Sequence, residues 1–223
     1  MIIQDIYNQY HIPPHLQLHM LRVAWVMQLI SKHRTGSEII NRNNLISAAL
    51  VHDMGNIVKF TFSEDTMSLL EWVEDLTLLK KIQQDMHQKY WQDDHQANLS
   101  ICKELGIHSN IINIVDAVDF NNIIEHSFSS HPYQILITYT DLRVAPFSVV
   151  SVKERLDESA KRYGRKDRAE HAECSMQFAN NHEKDIFKNC SIEPEDINDE
   201  TVNPLIEDLR KFKISTNKKT LLY

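Results

Sequence analysis

The sequence is poor in residues that turn a chain sharply, with 4 Gly and 6 Pro in 223 residues. A many-stranded sheet needs such residues at its turns, so their scarcity argues against an all-β fold. Cysteine is also scarce. Cys102, Cys174 and Cys190 make an odd count with no C-x-x-C spacing. They read as free thiols in a reducing compartment, neither a disulfide frame nor a zinc knuckle. Long apolar runs are missing too; AALV (48–51) is typical, far short of a membrane span. The first residues show no basic stretch followed by an apolar one, so no signal peptide is expected. These absences together predict a soluble, cytoplasmic protein with no membrane partner. Positive charge is in deficit, with 24 Lys and Arg against 31 Asp and Glu for a net −7. No basic field exists to attract a nucleic-acid polymer, although a local basic pocket can still take a small anion.

What is present is enough apolar material for a core: 42% hydrophobic against 25% charged residues argues against disorder. Twelve histidines direct attention to a metal or a phosphate. The chain reads as helix after helix. Pro13-Pro14 leads into a helix over 16–33, with Leu16, Met20, Val23, Val26, Met27 and Ile30 at helical spacing. A polar link follows, then a short buried helix over 45–55 ending at Gly55, and a loop over 56–66. Further helices are predicted over 67–91, 95–106 and 111–120. Asp93 with Gln96 opens the second of these, Gly106 stops it, and Ser109 caps the third. Pro132 suits the first turn of a helix over 133–145, and Ser151 with Glu154 boxes the start of the next. A polar helix over about 165–190, an acidic linker at 191–200 and a last amphipathic helix over Thr201–Phe212 complete an all-α chain. Residues 1–164 are expected to form the core, and 165–223 a helical extension packing on it. That last helix has an apolar side, Val202, Leu205, Ile206, Leu209 and Phe212, which must be buried somewhere.

Three inward helical faces each carry a group able to bind a metal. His52-Asp53 ends the apolar run Leu50-Val51, where a carboxylate costs several kcal/mol to bury unless it is paired or binds an ion. His19 shares a face with Leu16, Val23 and Arg22. Asp141 interrupts a row between Ile137 and Ala145. Each has a plain alternative: a His-Asp pair satisfying itself, a core histidine bonded to a carbonyl, and a buried acid capping a neighbouring helix. Taken together, two imidazoles and two carboxylates form a mixed nitrogen and oxygen set. Such a set suits an octahedral divalent ion such as Mn²⁺, Fe²⁺, Co²⁺ or Mg²⁺ better than a closed zinc site.

In this order, His19, then His52-Asp53, then Asp141 resembles the H…HD…D signature of the HD-domain metal-dependent phosphohydrolases. LHMLRVAWV is similar to the family's first motif, AALVHDMGNIVKF to the second and ITYTDLRVAPFSVVSVKERL to the last. The resemblance runs from about His15 to Tyr163. It implies an HD-type helical bundle in which His19, His52, Asp53 and Asp141 hold one divalent ion (Mn, Fe, Co, Ni or Mg). It also implies hydrolysis of a phosphate ester or anhydride in a nucleotide or related small compound. Arg22, one turn from His19, and Lys59 are the cations expected to offset phosphoryl charge, with Asp53 central to the chemistry. Arg143 is expected to point away, at the surface or in an inter-helix salt bridge, and Lys59 has the alternative of a solvated loop charge.

His95, at a helix start after Asp93-Asp94, can receive a phosphate or a second ion, or it is a surface histidine. It resembles the first of two extra histidines found in two-metal members. The matching place in the next helix holds Asp116 and Asp119 instead, and His126 and His131 come later, so one ion is favoured. Asn56 and the late Glu64-Asp65 differ from the guanosine-tetraphosphate branch, and the Gly-Tyr-Pro element of the cyclic-dinucleotide branch is missing. His95, Asp94 and Glu64 are the candidate general acids. Because none stands out, the alternative is a catalytically weak module of the same fold that binds metal and a nucleotide-like ligand as a sensor. A homodimer is compatible with either reading. His171 and His182 are expected to be solvated and not ligands.

Overall fold

The structure, a computed structural model, describes residues 1–35, 41–62, 73, 75–90, 92–118, 131–163 and 169–217, with only the backbone at 162, 163 and 169–171. Glu64, Asp65, Asp119 and His126, and the start of the helix expected from 67, lie outside the described residues, as does the side chain of His171. The fold is all-α; among the described residues extended pairing is confined to four isolated bridges.

The helices are α1 (Ile3–Gln9), α2 (Pro14–His33), α3 (Arg42–Val51), α4 (Leu76–Tyr90), α5 (Asp94–Glu104), α6 (Ser109–Asp116), α7 (Pro132–Leu142), α8 (Val152–Tyr163) and α9 (Ala169–Phe187). Local chemistry sets most of their ends. Pro14 stands in the first turn of α2 and Pro132 in that of α7, where the missing N–H costs nothing. Asp93 accepts the Gln96 amide at 2.8 Å, and Ser151 and Glu154 bond reciprocally. Gly106 follows α5 at φ 70°, a left-handed conformation in which a glycine carries no steric penalty.

Several boundaries differ from the sequence reading. The helix predicted from 45 begins at Arg42, because Asn41 caps it through Asn44 N at 3.1 Å. It ends at Val51, and the stretch expected as the start of a loop is a 3₁₀ helix, Met54–Lys59. Ser109 is the first residue of α6, not its cap; His108 holds the cap position. α7, expected to reach Ala145, stops at Leu142: Val144 N closes a tight turn on Asp141 O, and Ala145 N bonds Ser148 O instead of continuing the helix.

The core runs through α2 and α3. All six periodic residues of α2 and every residue of Leu45–Val51 are buried. α3 also packs on α6 and α7, and α5 lies along the 3₁₀ helix. The C-terminal region is not a linker and one helix. Pro194–Asp196, Asp199–Val202, Asn203–Leu205 and Ile206–Leu209 are successive helical turns of three or four residues, alternately 3₁₀ and α. Val202, Ile206 and Leu209 are buried as expected, but Leu205 is exposed. This region returns to the N-terminus, where Ile3 N bonds Phe212 O and Ile214 N bonds Met1 O. Trp25 of α2 donates Nε1 to Thr201 O at 3.1 Å.

Arg143 corrects an expectation. It is 3% exposed, and its guanidinium donates to Val150 O, Pro194 O, Ile197 O and the Tyr139 hydroxyl at 2.6–3.0 Å. A fork of five donors suits three carbonyls converging from two segments. The result ties the end of α7 to the C-terminal turns.

Candidate metal centre

His19 lies in the middle of α2, His52 at the C-cap of α3, Asp53 at the start of the 3₁₀ helix and Asp141 in the last turn of α7. Successive side chains on a helix diverge by about 100°, so His52 and Asp53 could not share one site on an unbroken helix. The helix breaks between them: Asp53 has φ −118° and ψ 12°. His52 Nε2 then lies 3.7 Å from Asp53 Oδ2.

The four side chains converge. His19 Nε2 is 3.0 Å from Asp141 Oδ1 and 3.5 Å from Asp53 Oδ2. His52 Nε2 is 3.4 Å from Asp141 Oδ1. One ligand atom each from His19, His52 and Asp141 lies within 4.8 Å of the others, and this group could hold a metal ion. Asp53 flanks both imidazoles at the most open edge. Its side chain is 22% exposed, against 0% for that of His52.

The imidazole of His52 fits a metal. Its Nδ1 lies 2.7 Å from Ala49 O; a carbonyl only accepts, so Nδ1 carries the proton and donates. In the neutral ring Nε2 then holds the lone pair. That buried Nε2 makes no hydrogen bond of ordinary geometry, its nearest carboxylate oxygen, Asp141 Oδ1, lying 3.4 Å off, and such a poorly satisfied nitrogen asks for an explanation. A cation among two imidazoles and two carboxylates supplies one. A proton can occupy the same place. Burial lowers the His52 pKa, but Asp53 and Asp141 outweigh it and raise it to about 9. Burial raises Asp141, yet the hydrogen bond from His19, and then the His52 imidazole beside it, hold it well below the usual carboxylate range.

The three expected helpers stand as follows. Arg22 donates to Pro146 O and Asn203 Oδ1, both at 3.4 Å. Lys59 pairs with Asp94. His95 Nε2 is 2.9 Å from Asp116 Oδ1, so the start of α5 is tied to the end of α6.

Two residues escaped the sequence reading. Asn98, 2% exposed on α5, bonds the His52–Gly55 turn. It interrupts an apolar row with Ile101 and Cys102, the pattern that picked out Asp141. His15 lies one turn before His19, on the same face. It packs on Phe60 with ring centroids 5.7 Å apart, and its buried Nδ1 is unpartnered. Burial, then the neighbouring His19, lowers its pKa to about 4. A histidine kept neutral by the fold binds its proton more readily when unfolded. Its contribution is therefore complete above pH ~6.5 and is lost as pH falls through ~4. His15→Phe should remove roughly 1–3 kcal/mol of the acid destabilisation in that window. Melting temperatures of both proteins across it provide the check, and parallel curves would reject the assignment.

Among the described residues no helix is long and apolar enough to cross a membrane. No family model, curated protein or solved structure matches the chain.

Proposed function

We propose that this chain is a divalent-metal-dependent phosphohydrolase of the HD type, cleaving a phosphate ester or anhydride of a nucleotide or related small compound. The observation that carries the reading is the convergence of His19, Asp53 and Asp141 on the buried Nε2 of His52, which makes no hydrogen bond of ordinary geometry. A chain that only needed to satisfy a buried histidine needs one partner there, not a second imidazole and two carboxylates.

His19, His52, Asp53 and Asp141 are the residues to hold the ion. Bound there, a divalent ion supplies Lewis acidity toward a phosphoryl oxygen and makes water a nucleophile near neutral pH. The protein's own part is to keep both imidazoles oriented and to place a carboxylate, Asp53, at the open edge. Arg22 supports the phosphate role because its two contacts are long, 3.4 Å each, and a phosphate oxygen is a better acceptor for a guanidinium. Phosphate-release assays over nucleoside mono-, di- and triphosphates and sugar phosphates, each with Mn²⁺, Co²⁺ and Mg²⁺, test the activity. Metal-dependent turnover supports it, and none on any substrate with metal bound opposes it.

Arg22→Ala should lower turnover on the best substrate by roughly 10²–10³, the value of one charged transition-state hydrogen bond, with metal content unchanged. Steady-state kinetics beside metal analysis checks this. Near wild-type turnover returns Arg22 to its bonds with Pro146 and Asn203.

The pairing of Lys59 with Asp94 and of His95 with Asp116 favours a second reading, a metal-loaded sensor that binds a nucleotide-like ligand and scarcely turns it over. Saturable nucleotide binding without phosphate release distinguishes it.

A further inference from the structure

The HD turn is held from outside by one side chain. Asn98 of α5 donates Nδ2 to His52 O at 2.5 Å and accepts Gly55 N on Oδ1 at 3.2 Å. The two contacts bracket His52 and Asp53, the adjacent pair in the centre. Contact here is close on both sides. A Cβ on Gly55 would lie 2.6 Å from Asn98 N, so the turn and α5 meet backbone to backbone. α5 is itself registered by the Asp93 cap and by Lys59 on Asp94.

We propose that Asn98 is the positioning residue of the metal centre, fixing the His52–Gly55 turn so that both ligands face His19 and Asp141 before an ion arrives. The inference rests on the reading of these residues as a metal site. Chemistry explains the residue type. The turn offers one acceptor and one donor, and a short side chain must answer with one of each. Asparagine does so. Aspartate keeps the acceptor for Gly55 N but sets a carboxylate against the His52 carbonyl, leucine offers neither group, and glutamine is one methylene longer. Outer partners of this kind hold ligands in place, and losing one costs roughly 10–100-fold in metal affinity.

The test uses the full chain, with Mn²⁺ titration for affinity, Co²⁺ visible absorption for ligand geometry, and thermal melts followed by circular dichroism. Wild type comes first; failure to bind either ion rejects the metal reading and this inference with it. Given wild-type binding, Asn98→Leu and Asn98→Asp are expected to keep the helical spectrum, raise the Mn²⁺ Kd by roughly 10–100-fold and alter the Co²⁺ bands. A merely structural role would lower the melting temperature while leaving Kd and bands at wild-type values. That result overturns the inference and leaves the metal reading standing. If Asn98→Leu does not fold, Asn98→Asp, of equal volume, decides. If neither folds, Asn98 belongs to the fold as a whole and the inference fails.

Discussion

His52→Ala and Asp53→Ala each abolish stoichiometric divalent metal binding and any hydrolytic activity, while most helical content survives. Of the four proposed ligands His52 alone has a fully buried side chain, and its Nε2 makes no hydrogen bond of ordinary geometry. Without it, Asp141 is left with the His19 imidazole alone beside it. Asp53 supplies the second carboxylate and the open edge. Losing a ligand should cost well beyond the roughly 10–100-fold lost with an outer partner. The fold tolerates both changes because neither residue is inside a helix: His52 is the cap of α3, and Asp53 precedes the 3₁₀ helix. Elemental analysis of dialysed protein beside far-ultraviolet circular dichroism is the check. Unchanged metal content in both variants sinks the ligand assignment.

Gly55→Ala, one added carbon, is expected to be as damaging as a ligand loss and to act through the fold. The new Cβ would lie 2.2 Å from Asp94 O and 2.6 Å from Asn98 N. Both are backbone atoms, so no rotamer change relieves the clash, and α5 must move away from the turn. α5 carries Asn98 to His52, Asp94 to Lys59 and His95 to Asp116, and a shift disturbs all three. Overpacking of this severity should destabilise by about 3 kcal/mol or more, with weakened metal binding in whatever remains folded. A thermal melt and a Mn²⁺ titration measure the two effects. An unchanged melting temperature would mean that the turn and α5 are not in contact.

The sequence made the inward faces of α2, α3 and α7 readable because their apolar periodicity is strong, and the three groups that interrupt it meet in space. What stayed hidden depended on long-range contact. Gly55 reads as a helix stop, yet its structural duty is the approach of α5, 43 residues away at Asn98. Arg143 reads as a cation at the surface or in an inter-helix salt bridge because, two residues past Asp141, it points away from that side of the helix. Its burial follows from carbonyls at Pro194 and Ile197, whose position no local pattern announces. The acidic stretch 191–200 reads as a linker by composition. Its acids instead cap short turns, as Glu193 with Asp196 does, and Ile197 goes into the core. The same limit applies to Arg22, Lys59 and His95: spacing nominated them, but their partners Asn203, Asp94 and Asp116 come from other elements.

If His19 and His52 hold an ion together with Asp53 and Asp141, pulsed electron paramagnetic resonance of the Mn²⁺-loaded protein will register both imidazoles. Nitrogen couplings report each imidazole bound to the ion. The account predicts one Mn²⁺ per chain with couplings from two histidine nitrogens, reduced to one in His52→Ala if any ion is retained. Bound Mn²⁺ showing no imidazole coupling, or couplings unchanged in His52→Ala, would contradict it.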